Sequence, residues 1–269
     1  MPYFQSGLSN LYYEEYGDGP PVLLLHGVGG NHASWFNQVP QFSRHYRTIV
    51  MDQRAFGNSE DRELAGCAGF VDDVIALLNH LSIEKVFLVG QSMGGFTVAS
   101  LTANRPERVA GVVIADSVRG AALPEPYATE LGQLQKRNAN LSQQERVLGP
   151  KIRSANEELS LLYTQIASFN SVNFRTVRGE TLAWDYSRLT ATGVPIVFIV
   201  GEDDVLFPPR FVRAAHEQVP GSKFHILEDS GHSAYFETPD EFNELVLAQL
   251  DAWVAVGRLR PAKSVRAEA

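Results

Sequence analysis

The chain has 269 residues, 44% of them apolar and 20% charged, which is material for a substantial core in one domain or two. A net charge of -8 argues against nucleic acid and anionic membrane surfaces as partners, because both need clustered Lys and Arg. The single cysteine, Cys67, excludes an intrachain disulfide and a cysteine-built zinc site.

The N-terminal stretch from Met1 to Gly7 has neither a charged nor an apolar leader region. No apolar run approaches the ~20 residues of a membrane helix, so the expected placement is cytoplasmic. Residues 9–16, rich in tyrosine, read as an early strand, and Asp18-Gly19-Pro20 as a turn. Val22 to Leu25 and Thr48 to Met51 are short apolar runs typical of buried strands. Phe70, Val74, Leu77, Leu78 and Leu81 recur at helical spacing, which predicts an amphipathic helix over 69–81. Val86 to Val89 is another buried strand, followed by a helix from Met93 to about Asn104 that must stop before Pro106. Residues 109–115 form a further apolar strand.

The pattern resumes with a strand from Pro195 to Val200, a helix over 209–218 and a strand from Lys223 to Leu227. Thr238, Pro239 and Glu241 predict a capping box at the start of the last helix, with Gly257 as its terminator. Alternating strands and helices imply an α/β fold with a mostly parallel central sheet covered by helices on both faces. Between Ala115 and Ile196 lie 80 residues, whereas a βαβ crossover needs only ~10–12. Ser142 with Glu145, and Ser154 with Glu157, look like capping boxes there, and Leu159, Leu162, Tyr163, Ile166 and Phe169 make one apolar helix face. The expected division is a core in two parts, 1–119 and 191–257, a helical lid over 120–190, and a C-terminal tail, 258–269.

Gly90-Gln91-Ser92-Met93-Gly94-Gly95 sits between a buried strand and a predicted helix. A serine on such a turn is held in strained backbone geometry with its hydroxyl above the sheet, so Ser92 is the candidate nucleophile. It needs a base. Of the seven histidines, His232 falls in the loop between the last strand and the final helix, at the carboxyl edge of the sheet. His26 reads as a buried structural residue. The acid that orients the imidazole is Asp203, Asp204 or Asp116, all of which follow strands at that edge. His26-Gly27-Val28-Gly29-Gly30 follows the strand at 22–25, so the backbone N–H groups of Val28 and Met93 are the candidate oxyanion donors.

These segments, together with Asp52-Gln53-Arg54-Ala55-Phe56-Gly57-Asn58-Ser59, resemble the α/β-hydrolase superfamily along nearly the whole chain. The resemblance implies a serine hydrolase with no cofactor or metal and with a catalytic set of Ser92, Asp204 and His232. The aspartate three residues after the glycine is the usual acid, which favours Asp204 over its neighbours. The Asp52 loop is read as structural. The expected substrate is a small carboxylic ester, lactone or thioester. Gly27, Trp35, Tyr163, Phe169, Trp184, Val205, Leu206 and Phe207 are candidate pocket residues. The Gly-x-Ser-Met-Gly-Gly form is also similar to carbon–carbon hydrolases of ring-cleavage products, though Ser233 stands where those often carry tryptophan. In that case Arg137, Arg153, Arg175 or Arg178 would bind a substrate carboxylate. Cofactor-free haloperoxidase activity and a non-catalytic ligand receptor on the same fold are further alternatives. The expected partner is a small molecule, with a homodimer compatible.

Overall fold

A computed structural model describes residues 2–120, 122–179 and 185–259. Eight strands form one sheet among these residues: β1 (Tyr3–Ser6), β2 (Ser9–Tyr16), β3 (Pro21–Leu25), β4 (Arg47–Met51), β5 (Val86–Gln91), β6 (Val109–Ala115), β7 (Ile196–Gly201) and β8 (Lys223–Leu227). Their order is β1-β2-β4-β3-β5-β6-β7-β8. The first two strands pair antiparallel, and β2 joins β4 antiparallel; every pairing from β4 through β8 is parallel.

Eleven α-helical segments accompany them among the described residues. They are α1 (Val39–Phe42), α2 (Phe70–His80), α3 (Met93–Asn104), α4 (Tyr127–Arg137), α5 (Gln143–Val147), α6 (Pro150–Ala155), α7 (Glu157–Ser168), α8 (Ser187–Ala191), α9 (Pro209–Glu217), α10 (Ala234–Glu237) and α11 (Pro239–Ala255). Successive strand residues face opposite ways. Leu23, Leu88, Val112 and Phe198 pack in one core with Val74 and Leu77 of α2, Val98 of α3 and Phe211 of α9. Val22, Phe87, Val113 and Val197 pack in the other with Phe42 of α1 and Phe242, Val246 and Trp253 of α11. The central strands β5, β6 and β7 are buried at every position, which is why they read as unbroken apolar runs rather than alternating ones.

Between β6 and β7 the chain leaves the sheet for α4 to α7. Tyr163 and Ile166 of α7, with Val147 and Leu148, join the core that holds Trp35, Tyr235 and Phe236. Asn31 donates to the Ile166 carbonyl at 3.0 Å, and Asn170 donates to the Gly30 carbonyl at 3.0 Å, so the segment is hydrogen-bonded to the loop after β3. The last helix of the expected insertion, α8, instead joins the sheet-facing core through Leu189.

Several local expectations need correction. The strand β1 lies ahead of the first one read from sequence, in a hairpin whose turn places Gly7 at φ 57. The Ser142–Glu145 capping box forms. The Ser154–Glu157 pair does not: Ser154 lies inside α6, and Asn156, one place from α7, caps it by accepting the Leu159 N–H at 2.9 Å. Thr238 stands at the N-cap of α11 without a side-chain capping bond, because its hydroxyl donates back to the Ala234 carbonyl at 3.2 Å. Gly257 follows the helix at φ 76, as a terminating glycine does. Among the described residues no helix is long and apolar enough to cross a membrane.

Candidate active site

Strand β5 ends at Gln91 and helix α3 begins at Met93, so Ser92 alone makes the reversal, at φ 53 and ψ -109. Such a left-handed conformation in a residue with a Cβ stores strain of about 1–3 kcal/mol, and it persists here because both flanking elements are locked. The Ser92 N–H donates to the Ala115 carbonyl at 2.9 Å, and its carbonyl accepts from Phe96 N–H at 3.1 Å and from the Ser117 hydroxyl at 2.8 Å. The sharp turn also needs close backbone packing. A Cβ on Gly94 would strike the Leu25 carbonyl, and one on Gly90 would strike the Gly94 carbonyl.

His232 brings its Nε2 to 2.8 Å from the Ser92 Oγ and its Nδ1 to 2.8 Å from Asp204 Oδ2. The imidazole is 3% exposed, so water does not compete for either bond. The remaining oxygen of Asp204, Oδ1, accepts the N–H groups of Leu206 at 2.7 Å and Phe207 at 2.9 Å, which fixes the carboxylate plane. Gln91 donates to the His232 carbonyl and anchors the loop from the nucleophile side.

The other two candidate acids lie elsewhere. Asp203 points to solvent, with its N–H donating to the Ser230 carbonyl at 2.8 Å. Asp116 is fully buried, accepts the Gly201 N–H at 2.9 Å and the Ala234 N–H at 3.3 Å, and thereby ties the loop after β7 to the loop after β8. Burial first, and the Asp204 charge second, push its carboxyl well above the usual range. Glu237, which sequence reasoning missed, is a second brace. It accepts Gly149 N–H at 2.6 Å, Gly231 N–H at 3.0 Å and Ser233 N–H at 3.2 Å, and so joins the helical segment to the His232 loop. Burial pushes it up to about 7, against the pull of those three N–H groups. The only sequence hint was an acidic residue closing the apolar run Ala234-Tyr235-Phe236.

The backbone N–H groups of Val28, in the loop after β3, and of Met93, next to Ser92 in sequence, have no hydrogen-bond partner among the described residues. The Met93 N–H opens α3, where the helix dipole is positive. Gly27 lies against the nucleophile: a Cβ there would come within 3.0 Å of the Ser92 Cβ. His26 holds the donor loop from beneath. Its Nε2 accepts the Gln53 N–H at 3.0 Å, its Nδ1 donates to the Gly27 carbonyl at 2.8 Å, and burial lowers its pKa, consistent with a neutral structural ring. Asp52 accepts backbone N–H groups from His32 at 2.6 Å and Asn58 at 2.8 Å, the structural role expected of its loop.

A cavity of ≈ 210 Å³ opens over Ser92 and His232. Of the pocket residues expected from sequence, Tyr163, Leu206 and Phe207 line it, as does Val28. Four others do not. Phe169 is 74% exposed at the end of α7; Trp35 is fully buried against Tyr235, with ring centroids 4.4 Å apart; Gly27 and Val205 are not among the residues that line the cavity. Trp184 falls outside the described residues. Arg137, Arg153, Arg175 and Arg178 do not line the cavity either, whereas Arg119, Arg146, Gln91 and Phe174, none of them singled out from sequence, do. Among the described residues no three His, Cys, Asp or Glu side chains converge as a metal site.

The arrangement sets a serine hydroxyl against an imidazole held by a carboxylate, at one small cavity lined also by Val28. Comparison with known proteins points the same way. A family description of the alpha/beta hydrolase fold matches residues 20–160. A protein of Azorhizobium caulinodans provisionally named a carbamate hydrolase is 28% identical over 261 residues, covering 92% of this chain and 97% of its own. A solved structure of a bromoperoxidase from Bacillus anthracis superposes with a TM-score of 0.77 at 26% identity, over 93% of this chain and 99% of its own. A solved N-acyl homoserine lactone degrading enzyme gives a TM-score of 0.74 at 26% identity, over 92% of this chain and 99% of its own.

Proposed function

Because this chain belongs to the alpha/beta hydrolase fold family, we propose that it is a serine hydrolase of small carboxylic esters and lactones, working through an acyl-enzyme on Ser92. The observation that carries this reading is the His232 bridge, 2.8 Å from the Ser92 hydroxyl on one side and 2.8 Å from Asp204 on the other. His232 Nε2 takes the hydroxyl proton as Oγ attacks the carbonyl carbon. The carbonyl oxygen gains charge and is met by the Val28 and Met93 N–H groups, which need not be pulled from other partners first. The C–O bond to the leaving group breaks, and His232 returns the proton to the departing alkoxide. Water then enters and gives a proton to His232 as its oxygen bonds to the acyl carbon; the bond to Oγ breaks, the acid leaves, and His232 returns the proton to the Ser92 Oγ. Asp204 keeps the proton of the neutral imidazole on Nδ1 and stabilises the imidazolium that forms.

A cavity of ≈ 210 Å³ is smaller than the ~300–1,000 Å³ of pockets for drug-sized ligands, which favours a small acyl compound. Helices α4 to α7 act as the lid: they cover the cavity, exclude water and set the shape of what enters. Likeness to a lactone degrading enzyme and to a protein provisionally named a carbamate hydrolase supports acyl chemistry on a carbonyl. A second reading is favoured by the likeness to a solved bromoperoxidase and to a protein of Mycobacterium tuberculosis provisionally named a non-heme bromoperoxidase, 28% identical over 266 residues. In it, hydrogen peroxide rather than water intercepts the acyl-enzyme and a peracid leaves. Turnover of p-nitrophenyl acetate with and without peroxide separates the two, and Ser92→Ala must abolish both. Turnover that survives in Ser92→Ala rules out both readings.

A further inference from the structure

Two arginines line the cavity without an acidic partner. Arg119 comes just after β6, and Arg146 lies on α5. No ion pair to either guanidinium is found among the described residues, although acidic side chains outnumber basic ones in a chain of net charge -8. Arg146 is held in place by one bond to the Asn138 carbonyl at 3.2 Å and by the Phe174 ring, whose centroid lies 4.0 Å from the guanidinium carbon. Those contacts fix its plane and leave most of its five N–H donors unused. Among the described residues the Arg119 side chain has no hydrogen-bond partner, and its guanidinium stands 6.0 Å from the centroid of Phe207.

Both groups sit at a disadvantage. Burial opposes the charge of each, and the charges of Arg119 and Arg175 further oppose that of Arg146. Desolvated charges are ordinarily paired. The buried carboxylates around the Ser92–His232 pair are engaged elsewhere: Asp204 by His232 and two backbone N–H groups, Asp116 and Glu237 by backbone N–H groups. The same wall adds the amide groups of Gln135, Gln143 and Asn173. Among the described residues it offers hydrogen-bond donors around two cations and no carboxylate, which is the complement of a carboxylate ligand.

We propose that Arg119 and Arg146 form a carboxylate-binding subsite, so that the substrate is an ester or lactone carrying a free carboxylate, with a half-ester of a dicarboxylic acid as the simplest case. This rests on the reading of Ser92 as the acyl-transfer nucleophile and adds the charge of the molecule it acts on. The bond made and the bond broken are those of ordinary ester hydrolysis, while the carboxylate is held and does not react.

Mono-p-nitrophenyl succinate and its methyl ester differ in that charge and in one methyl group, so the ratio of their kcat/KM values, each corrected for spontaneous hydrolysis, tests the subsite. The wild-type ratio should favour the acid by about 10-fold or more at low salt and fall as salt is added. Arg119→Gln and Arg146→Gln should each reduce the ratio by about 10- to 100-fold, the size of a charge-assisted hydrogen bond, mainly through KM. Arg146→Lys should keep part of it. A wild-type ratio at or below one, or a ratio unchanged in both glutamine variants while the esters still turn over, overturns the subsite and leaves the hydrolase reading standing. Equal inhibition by inorganic phosphate and by succinate overturns the carboxylate assignment. Absence of turnover of either ester, together with no labelling of Ser92 by a fluorophosphonate, overturns the hydrolase reading and the subsite with it.

Discussion

Replacing Asp204 with asparagine changes one atom and should disable the base. Oδ1 of Asp204 accepts two backbone N–H groups, from Leu206 at 2.7 Å and Phe207 at 2.9 Å. Only the carbonyl oxygen of an asparagine can occupy that place, so its NH₂ group must face His232 Nδ1. Nδ1 then becomes the acceptor, and the imidazole proton moves to Nε2. That nitrogen lies 2.8 Å from the Ser92 Oγ and would now donate to it instead of removing its proton. A wrong tautomer of this kind costs about 10⁴ in kcat. Folding should not suffer, because the Asp204 charge is one of the causes that raise both Asp116 and Glu237, and its removal relieves that repulsion. The assay is p-nitrophenyl acetate hydrolysis by Asp204→Asn beside Asp203→Asn, with a melting curve for each. A loss of less than about 10-fold in Asp204→Asn, or an equal loss in Asp203→Asn, would refute the reasoning.

Ser92→Ala and His232→Ala should each lower kcat by up to about 10⁶, and the double variant should be hardly worse, because the two side chains act as a unit; additive losses in the same assay count against that. Glu237 is raised from 4.5 to about 7, so the folded protein keeps a proton that the unfolded chain releases. Its contribution to stability is full below pH 4.5 and is lost as the pH rises through about 7, by about 3 kcal/mol at most. Glu237→Gln should therefore flatten the dependence of Tm on pH between about pH 5 and 8, and an unchanged slope would contradict the assignment. Trimming Phe174 to Ala in the cavity wall should shift the preference between short and long acyl esters by about 1–3 kcal/mol. Phe169→Ala, at a side chain 74% exposed, should leave that preference alone, and the reverse pattern would place the acyl group elsewhere.

The parallel core was readable because β5, β6 and β7 are buried on both faces and therefore appear as short apolar runs between turn signals. Ser92 was readable for the same reason: its glycine-flanked position falls where one such run meets a helix. Residue patterning alone left Asp116, Asp203 and Asp204 open, since all three follow strands at one edge, and only the family resemblance favoured Asp204. Only the loop conformation turns Asp204 inward, Asp203 outward and Asp116 beneath both loops. Helical spacing put Phe169 on a face with Tyr163 and Ile166, but α7 ends at Ser168 and that face is covered only as far as Ile166. Arg119 and Arg146 carry no spacing signal, because their meeting at the cavity depends on how α4 to α7 fold back over the sheet.

The most direct test of Ser92 as the acyl-transfer nucleophile is mass spectrometry of the protein quenched in acid during steady turnover of p-nitrophenyl acetate. The expected result is one acetyl group per chain, mapped to the peptide containing Ser92, formed during a burst of p-nitrophenol and absent from Ser92→Ala. Turnover with no acetylated Ser92, or an acetyl group that persists on another residue in Ser92→Ala with activity retained, would contradict it.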